Sequence, residues 1–248
     1  MGGESHDCYD LWNSSHAARG PSERIPYATN KVYSTEMYSE EAKKLIDAHG
    51  ERLQRGDPTP FFLYLAYQNC HAPYEVPERF LQRYQLDPKG SRACFNAMLS
   101  AMDDSVAVVV AALKVARMFE RTVLIFSGDN GGPQFMGSNT PLRGAKFTTM
   151  EGGVRVPAFF FSPLLPPSAQ GGVCNALMHS VDWFVTLSTM AGVEPASIAT
   201  SGPVPPDGID VLPFILAATP EGHDTDQHNR TSLDLILSPF PKHLLWHA

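Results

Sequence analysis

Two short apolar runs constrain this chain more than any other feature: residues 61–66 (FFLYLA) and residues 122–127 (TVLIFS). Each has the length of a strand, and each carries apolar side chains at successive positions. A strand that is apolar on both faces suits a parallel sheet covered by helices on both sides. Residues 154–161 read as a third strand. Helical patterns lie around these runs. Residues 39–49 carry a stripe of Ala42, Leu45 and Ile46, with Gly50 as a stop signal. Residues 77–84 form a short helix. Residues 93–117 place Met98, Met102, Val106, Val109 and Leu113 on one face, and residues 181–191 end at Gly192. This order predicts an α/β domain with a mostly parallel sheet flanked by helices.

The chain is long enough, at 248 residues with 43% hydrophobic content, to bury a core without metal or disulfide staples. Nineteen basic residues against 26 acidic ones, with no run of Lys or Arg, argue against a nucleic-acid partner. The longest apolar run, residues 106–113, is far short of the roughly 18 residues of a membrane span. Residues 1–7 lack the basic and apolar parts of a signal peptide. Cys8, Cys70, Cys94 and Cys174 form no C-x-x-C pair, which disfavours a zinc ribbon.

Chemistry concentrates where the two strong strands end, the place where open α/β sheets gather ligands. Asp129 and Asn130 follow the second strand and precede Gly131 and Gly132. Their oxygens are of the hard type that Ca²⁺ or Mg²⁺ takes, although the same string also makes an ordinary Asx turn. His71 follows the first strand and can hold an anion or move a proton, or simply bond to a loop carbonyl. Lys146 ends the string PLRGAK and suits an anionic ester, or else a solvated surface position. Arg143 and Arg155 read as structural, pairing with Glu151 or loop carbonyls. Asp103 and Asp104 sit mid-helix and read as surface or structural pairing rather than a metal pair. Asn13 and Asn229 open N-x-S/T acceptor strings, which matter only in a secreted glycoprotein.

Taken together, residues 61–73 (FFLYLAYQNCHAP), 123–132 (VLIFSGDNGG) and 141–157 (PLRGAKFTTMEGGVRVP) resemble the sulfatases, most of all the arylsulfatase B group, whose members are N-acetylgalactosamine-4-sulfatase-like. Residues 9–12, 179–183 and 207–210 add to the likeness, which extends over roughly residues 1–237. The resemblance implies an alkaline-phosphatase-like sulfatase fold and hydrolysis of sulfate esters, including those of sulfated glycans. It implies that Asp129 and Asn130 ligate a calcium ion and that His71 and Lys146 contact the sulfate, with Lys146 assisting the leaving group. It implies a lysosomal or secreted location. Residues 1–192 then form part of the catalytic domain and residues 193–248 a loop-rich C-terminal extension of it.

The departures are as informative. The family's nucleophile is a formylglycine made from the Cys of a C-x-P/A-x-R string, and none of the four cysteines stands in one. The acidic pair that supplies further calcium ligands, and the K-x-H segment beside the nucleophile, are missing too. Thr140 stands where the family has Trp. The expectation is a sulfatase shortened at its N-terminus, with an incomplete calcium shell and little or no turnover by itself. A binding or regulatory fragment, or a phosphate or phosphonate ester hydrolase, are the alternatives. A parallel sheet that lacks strands is also expected to leave edges unpaired, so that the chain folds weakly alone or needs a partner.

Overall fold

The computed structural model describes residues 12–13, 23–24, 32–84 and 91–218. Cys8, residues 9–11, the acceptor string at Asn229 and the tail from residue 219 lie outside the described residues. A two-residue antiparallel ladder joins β1 (Trp12–Asn13) to β2 (Glu23–Arg24). Helix α1 (Ser34–Gln54) and helix α3 (Ser91–Val115) then pack together, with the short α2 (Glu78–Leu81) against α3. Ala42 and Ile46 from α1 meet Val109, Ala112 and Leu113 from α3, and Met118 closes the cluster. Ile46 is fully buried, which stabilises the fold by about 2–3 kcal/mol.

Helix α1 runs through Gly50 instead of stopping there. A side chain at Gly50 would collide with the Cβ of Ala116, so this glycine lets α1 approach the end of α3 closely. The true stop is Gly56, with φ +85°. Gly56 N–H donates to Leu53 (3.0 Å) and Asp57 N–H to Arg52 (3.1 Å), the paired bonds of a Schellman end. Helix α3 closes the same way, but with Arg117 in the left-handed position at φ 58°. There Arg117 N–H reaches Lys114 and Met118 N–H reaches Leu113.

Strand β3 (Leu124–Ser127) pairs antiparallel with β4 (Ala158–Phe161), Leu124 opposite Phe161 and Phe126 opposite Phe159. The predicted third strand is thus shorter than expected. Its first residue ends a helical turn, α4 (Glu151–Val154), whose buried glycines Gly152 and Gly153 are taken up in loop contacts. Phe160 faces a second cluster of Leu165, Ala169, Met190, Leu212 and Leu216. With Leu165 and Ala169 of the turns after β4, that cluster is built by Met190 of α5 (Asp182–Met190) and by Leu212 and Leu216 of α7 (Leu212–Leu216). Between these two lies α6 (Pro195–Ala199), a turn of helix where the composition reads as loop; Pro195 opens it, as proline does at a first helical position.

The α/β arrangement of helices on a sheet is present, but the sheet is incomplete. Both ladders among the described residues are antiparallel, so the mostly parallel sheet expected from sequence is not formed within them. Residues 61–66 join no ladder at all. Their burial alternates, Phe61, Leu63 and Leu65 inward onto the α1/α3 cluster, Phe62 and Tyr64 outward. This is the period of an extended chain with one face covered, in place of the strand covered on both faces that the composition suggests. No helix of the described residues is long and apolar enough to cross a membrane.

Candidate functional site

Strand β3 delivers Asp129 and Asn130 into a loop that is knitted to the segment carrying Lys146. Gly128 N–H donates to Pro157 (3.0 Å) and Gly131 N–H to Gly153 (2.9 Å). Lys146 N–H donates to the carbonyl of Gly132 (3.0 Å), and Gly152 N–H to that of Arg143 (2.7 Å). The contact is so close that a Cβ on Gly131 would overlap the carbonyl oxygen of Gly152. The glycines of the D-N-G-G and E-G-G strings are therefore there for backbone-to-backbone approach.

Asn139, unmarked in sequence, holds this arrangement together. Its Oδ1 accepts from Gly132 N–H (2.8 Å) and its Nδ2 donates back to Gly132 (2.9 Å) and on to Gly144 (3.4 Å). One side-chain amide thus satisfies both backbone groups of Gly132 and ties the Asp129 loop to the Lys146 loop. Its sequence surroundings, Ser-Asn-Thr-Pro, read only as a turn.

Within the cluster, Asp129 is exposed and one of its oxygens accepts from Asn130 N–H (2.9 Å). The Asn130 amide nitrogen donates to the carbonyl of Gly131 (3.0 Å). Lys146 is half-buried with its ammonium 5.5 Å from the ring centre of Phe147. Among the described residues it has no carboxylate partner. A cation without a counter-ion among the described residues, on a loop bonded to the one that carries Asp129 and Asn130, is available to an anionic guest.

His71 sits on a separate loop. Asn69 anchors that loop, its amide donating to the Met98 carbonyl of α3 (2.8 Å) and accepting from the Thr35 hydroxyl (2.5 Å). The exposed imidazole donates from Nδ1 to the carbonyl of Ala72 (2.7 Å), so its Nε2 is turned to solvent as the second ring donor when protonated. The two loops meet indirectly at the start of α3. The Tyr74 ring lies 6.5 Å from that of Phe95, Gly137 lies beside the same Phe95, and Arg92 donates to Met136 (2.8 Å). The structure thus brings Asp129, Asn130 and Lys146 together and places His71 on the neighbouring loop. No direct contact joins His71 to the other three among the described residues.

The structural readings of the remaining candidates divide. Arg155 pairs with Glu151 (3.5 Å) one helical turn away, as expected. Arg143 makes no ion pair among the described residues; its carbonyl, not its guanidinium, is what the loop uses. Asp104 takes both guanidinium nitrogens of Arg83 (2.6 and 3.1 Å), and that cation holds its carboxyl below the usual range. Met98 is core. Burial pushes the Cys70 thiol up to about 11 and raises those of Cys94 and Cys174. A thiol so raised is a poor nucleophile at neutral pH, so Cys70 beside His71 does not replace the attacking group.

The donor set decides what a calcium ion would find. Asp129 and Asn130 offer oxygens of the right hardness, but calcium takes six to eight. The described residues contain no cluster of three or more His, Cys, Asp or Glu. The donors fit in kind and not in number, so these residues do not by themselves form a calcium site.

Comparison with known proteins accounts for the arrangement. The profile of the family named Sulfatase matches residues 3–193. Arylsulfatase J of Mus musculus is 39% identical over 185 residues, covering 74% of this chain and 28% of its own length. N-acetylgalactosamine-6-sulfatase of Rattus norvegicus is 30% identical over 230 residues, covering 89% of this chain and 40% of its own. Among solved structures, that of Ps i-CgsB in complex with k-i-k-neocarrahexaose superposes with a TM-score of 0.67 at 28% identity, over 81% of this chain and 43% of that one. The chain spans less than half the length of each of these relatives.

Proposed function

The chain belongs to the sulfatase family, and from that premise we propose that the catalytic domain of which it forms part hydrolyses sulfate esters, those of sulfated glycans included. The observation that carries the reading is the half-buried Lys146, without a carboxylate partner among the described residues, on a loop held against the Asp129–Asn130 loop by the Gly132 and Asn139 bonds. An ammonium in that position pairs with sulfate oxygens and stabilises negative charge on the departing oxygen. His71 donates from Nε2 to the same anion in this reading. Asp129 and Asn130 would supply two of the six to eight oxygens that a calcium ion takes, and an ion held there would draw charge from the sulfate and orient it. The glycan preference draws support from the neocarrahexaose bound to Ps i-CgsB and from the sugar sulfatases among the relatives. A lysosomal or secreted location accompanies the same reading.

For this chain alone the expected activity is little or none. No cysteine stands in a string that yields formylglycine, and without that group the covalent step has no attacking oxygen. The test is hydrolysis of a chromogenic aryl sulfate with calcium and a formylglycine-generating enzyme present. No turnover is expected, and clear hydrolysis refutes the inactive reading. The free ammonium of Lys146 also favours a second reading, a sulfated-glycan binder without turnover. Titration with a sulfated oligosaccharide measures it: saturable binding that Lys146→Ala removes supports the reading, and binding unchanged by that substitution refutes it.

A further inference from the structure

Ser105 of α3 carries a hydroxyl that the fold buries without supplying a partner. The residue is 3% exposed. The other buried serines and threonines among the described residues, Thr35, Ser39, Ser162 and Thr186, each hold a hydrogen bond through the side chain. Ser105 holds none among the described residues, and buried hydroxyls are nearly always bonded. No side-chain oxygen that is shut off from solvent lacks a partner among these residues. The Ser105 oxygen therefore opens onto the cavity that this residue lines, a space of about 350 Å³ bordered by α1, α2 and α3. That volume lies in the range of small-molecule sites.

The lining selects the charge of a guest. Among the described residues the cavity is lined by three carboxylates, those of Glu36, Glu40 and Asp104, and by one guanidinium, that of Arg79. Arg79 is taken by Glu36, and Asp104 is taken by Arg83. Glu40 has no ion pair among the described residues. An anion would meet this excess of negative charge, whereas a cation is drawn to it. A bare metal ion suits the place less well, since the described residues contain no group of three or more His, Cys, Asp or Glu able to hold one. Phe80 and Val108 add apolar wall, which calls for a hydrocarbon part in the guest. From these observations we infer that the cavity is a binding site for a short aliphatic diamine. One ammonium donates to the Glu40 carboxylate and to the Ser105 oxygen, the alkyl stem lies against Phe80 and Val108, and the second ammonium faces the rim carboxylates of Glu36 and Asp104. This goes beyond the sulfate-ester reading and is measured without turnover.

The experiment titrates the full chain with 1,4-diaminobutane at constant ionic strength, followed by calorimetry and by the amide chemical shift of Ser105. One-site saturation is expected, with the Ser105 amide among the shifted signals. Ser105→Ala removes an acceptor and Glu40→Gln removes the unpaired charge. Each is expected to weaken binding by about fivefold or more while leaving the circular dichroism unchanged. Glu120→Gln removes an equal charge from an exposed position after α3 and is expected to leave binding as it was. 1,4-Butanediol, of the same length and without charge, is expected not to bind. Absence of saturation up to about 10 mM overturns the inference. Equal binding of the diol, which signals apolar filling alone, overturns it too. So does an equal loss from Glu120→Gln, which signals attraction to the net charge of −7. Binding that either Ser105→Ala or Glu40→Gln leaves unweakened also overturns it.

Discussion

Removing the carboxylate of Asp182 is expected to be among the most damaging single changes outside the apolar core. Asp182 is 3% exposed at the first turn of α5. One oxygen accepts from His179 N–H (2.7 Å), just before the helix. The other accepts from Ile209 N–H (2.9 Å), 27 residues on. The carboxylate therefore ties the turn before α5 to the segment that leads into α7. Hydrogen bonds to a charged group are worth about 1.5–3 kcal/mol each, so Asp182→Ala is expected to lose about 3–5 kcal/mol. At about 2–4 °C per kcal/mol for a chain of this size, the melting point falls by roughly 6–20 °C. Asp182→Asn keeps one acceptor and turns an amide N–H₂ on the other donor, so it is expected to lose about 2–3 kcal/mol. The neighbouring hydroxyl of Thr186 accepts from Val211 N–H (2.9 Å) and pins the same segment. Asp182→Ala and Thr186→Val are therefore expected to be non-additive by about 1 kcal/mol. Urea unfolding followed by circular dichroism at neutral pH measures all three, with the m-value as a check that the compared states are the same. A loss below about 1 kcal/mol for Asp182→Ala would refute the reasoning, since it would mean that water replaces both bonds at little cost.

Three further outcomes are expected. Gly131→Ala forces apart the backbones that Gly131 N–H and Gly153 join, at about 2–4 kcal/mol by thermal melting; a neutral result would show that this loop is not closely packed. Arg117→Gly relieves the left-handed strain at the end of α3 and is expected to raise stability by about 0.5–1 kcal/mol, while a loss would show that the exposed Arg117 side chain contributes more than its backbone costs. Burial raises the carboxyl of Asp210, partly offset by the Leu212 N–H that it accepts (3.0 Å). A raised carboxyl binds its proton more tightly in the folded state, so its contribution worsens as pH rises through that folded value and recovers in acid. Asp210→Asn, which keeps the Leu212 bond, is expected to stabilise at pH 7, with the gain gone below the ordinary carboxylate value of 3.8; a gain independent of pH contradicts this origin.

Much of the site was legible in the residues before any coordinates. Asp129, Asn130 and Lys146 stand in separate strings, yet their chemistry and their place beyond strand ends marked each of them. Their union did not show, because it rests on Asn139 and on glycine contacts between segments that sequence spacing does not connect. His71 was marked too, but its loop is braced through Asn69, an amide whose three partners lie at the start of α1 (Tyr33 and Thr35) and in α3 (Met98). That none of the four cysteines stands in a C-x-P/A-x-R string is read from the sequence directly.

What the chain determines by itself is local. The 3.6-residue stripes of α1 and α3, the glycine that ends α5 and the apolar run of β3 follow from period, capping and turn chemistry within a few residues. Tertiary structure decided the rest, because each remaining feature depends on a distant neighbour. Gly50 looks like a helix end until Ala116 is found packed against it. Residues 61–66 have the composition of a central strand, but a strand is made by partners, and among the described residues none is hydrogen-bonded to it. An apolar side chain carries its preference for burial wherever it goes; a backbone amide acquires its bond only when another chain segment arrives beside it.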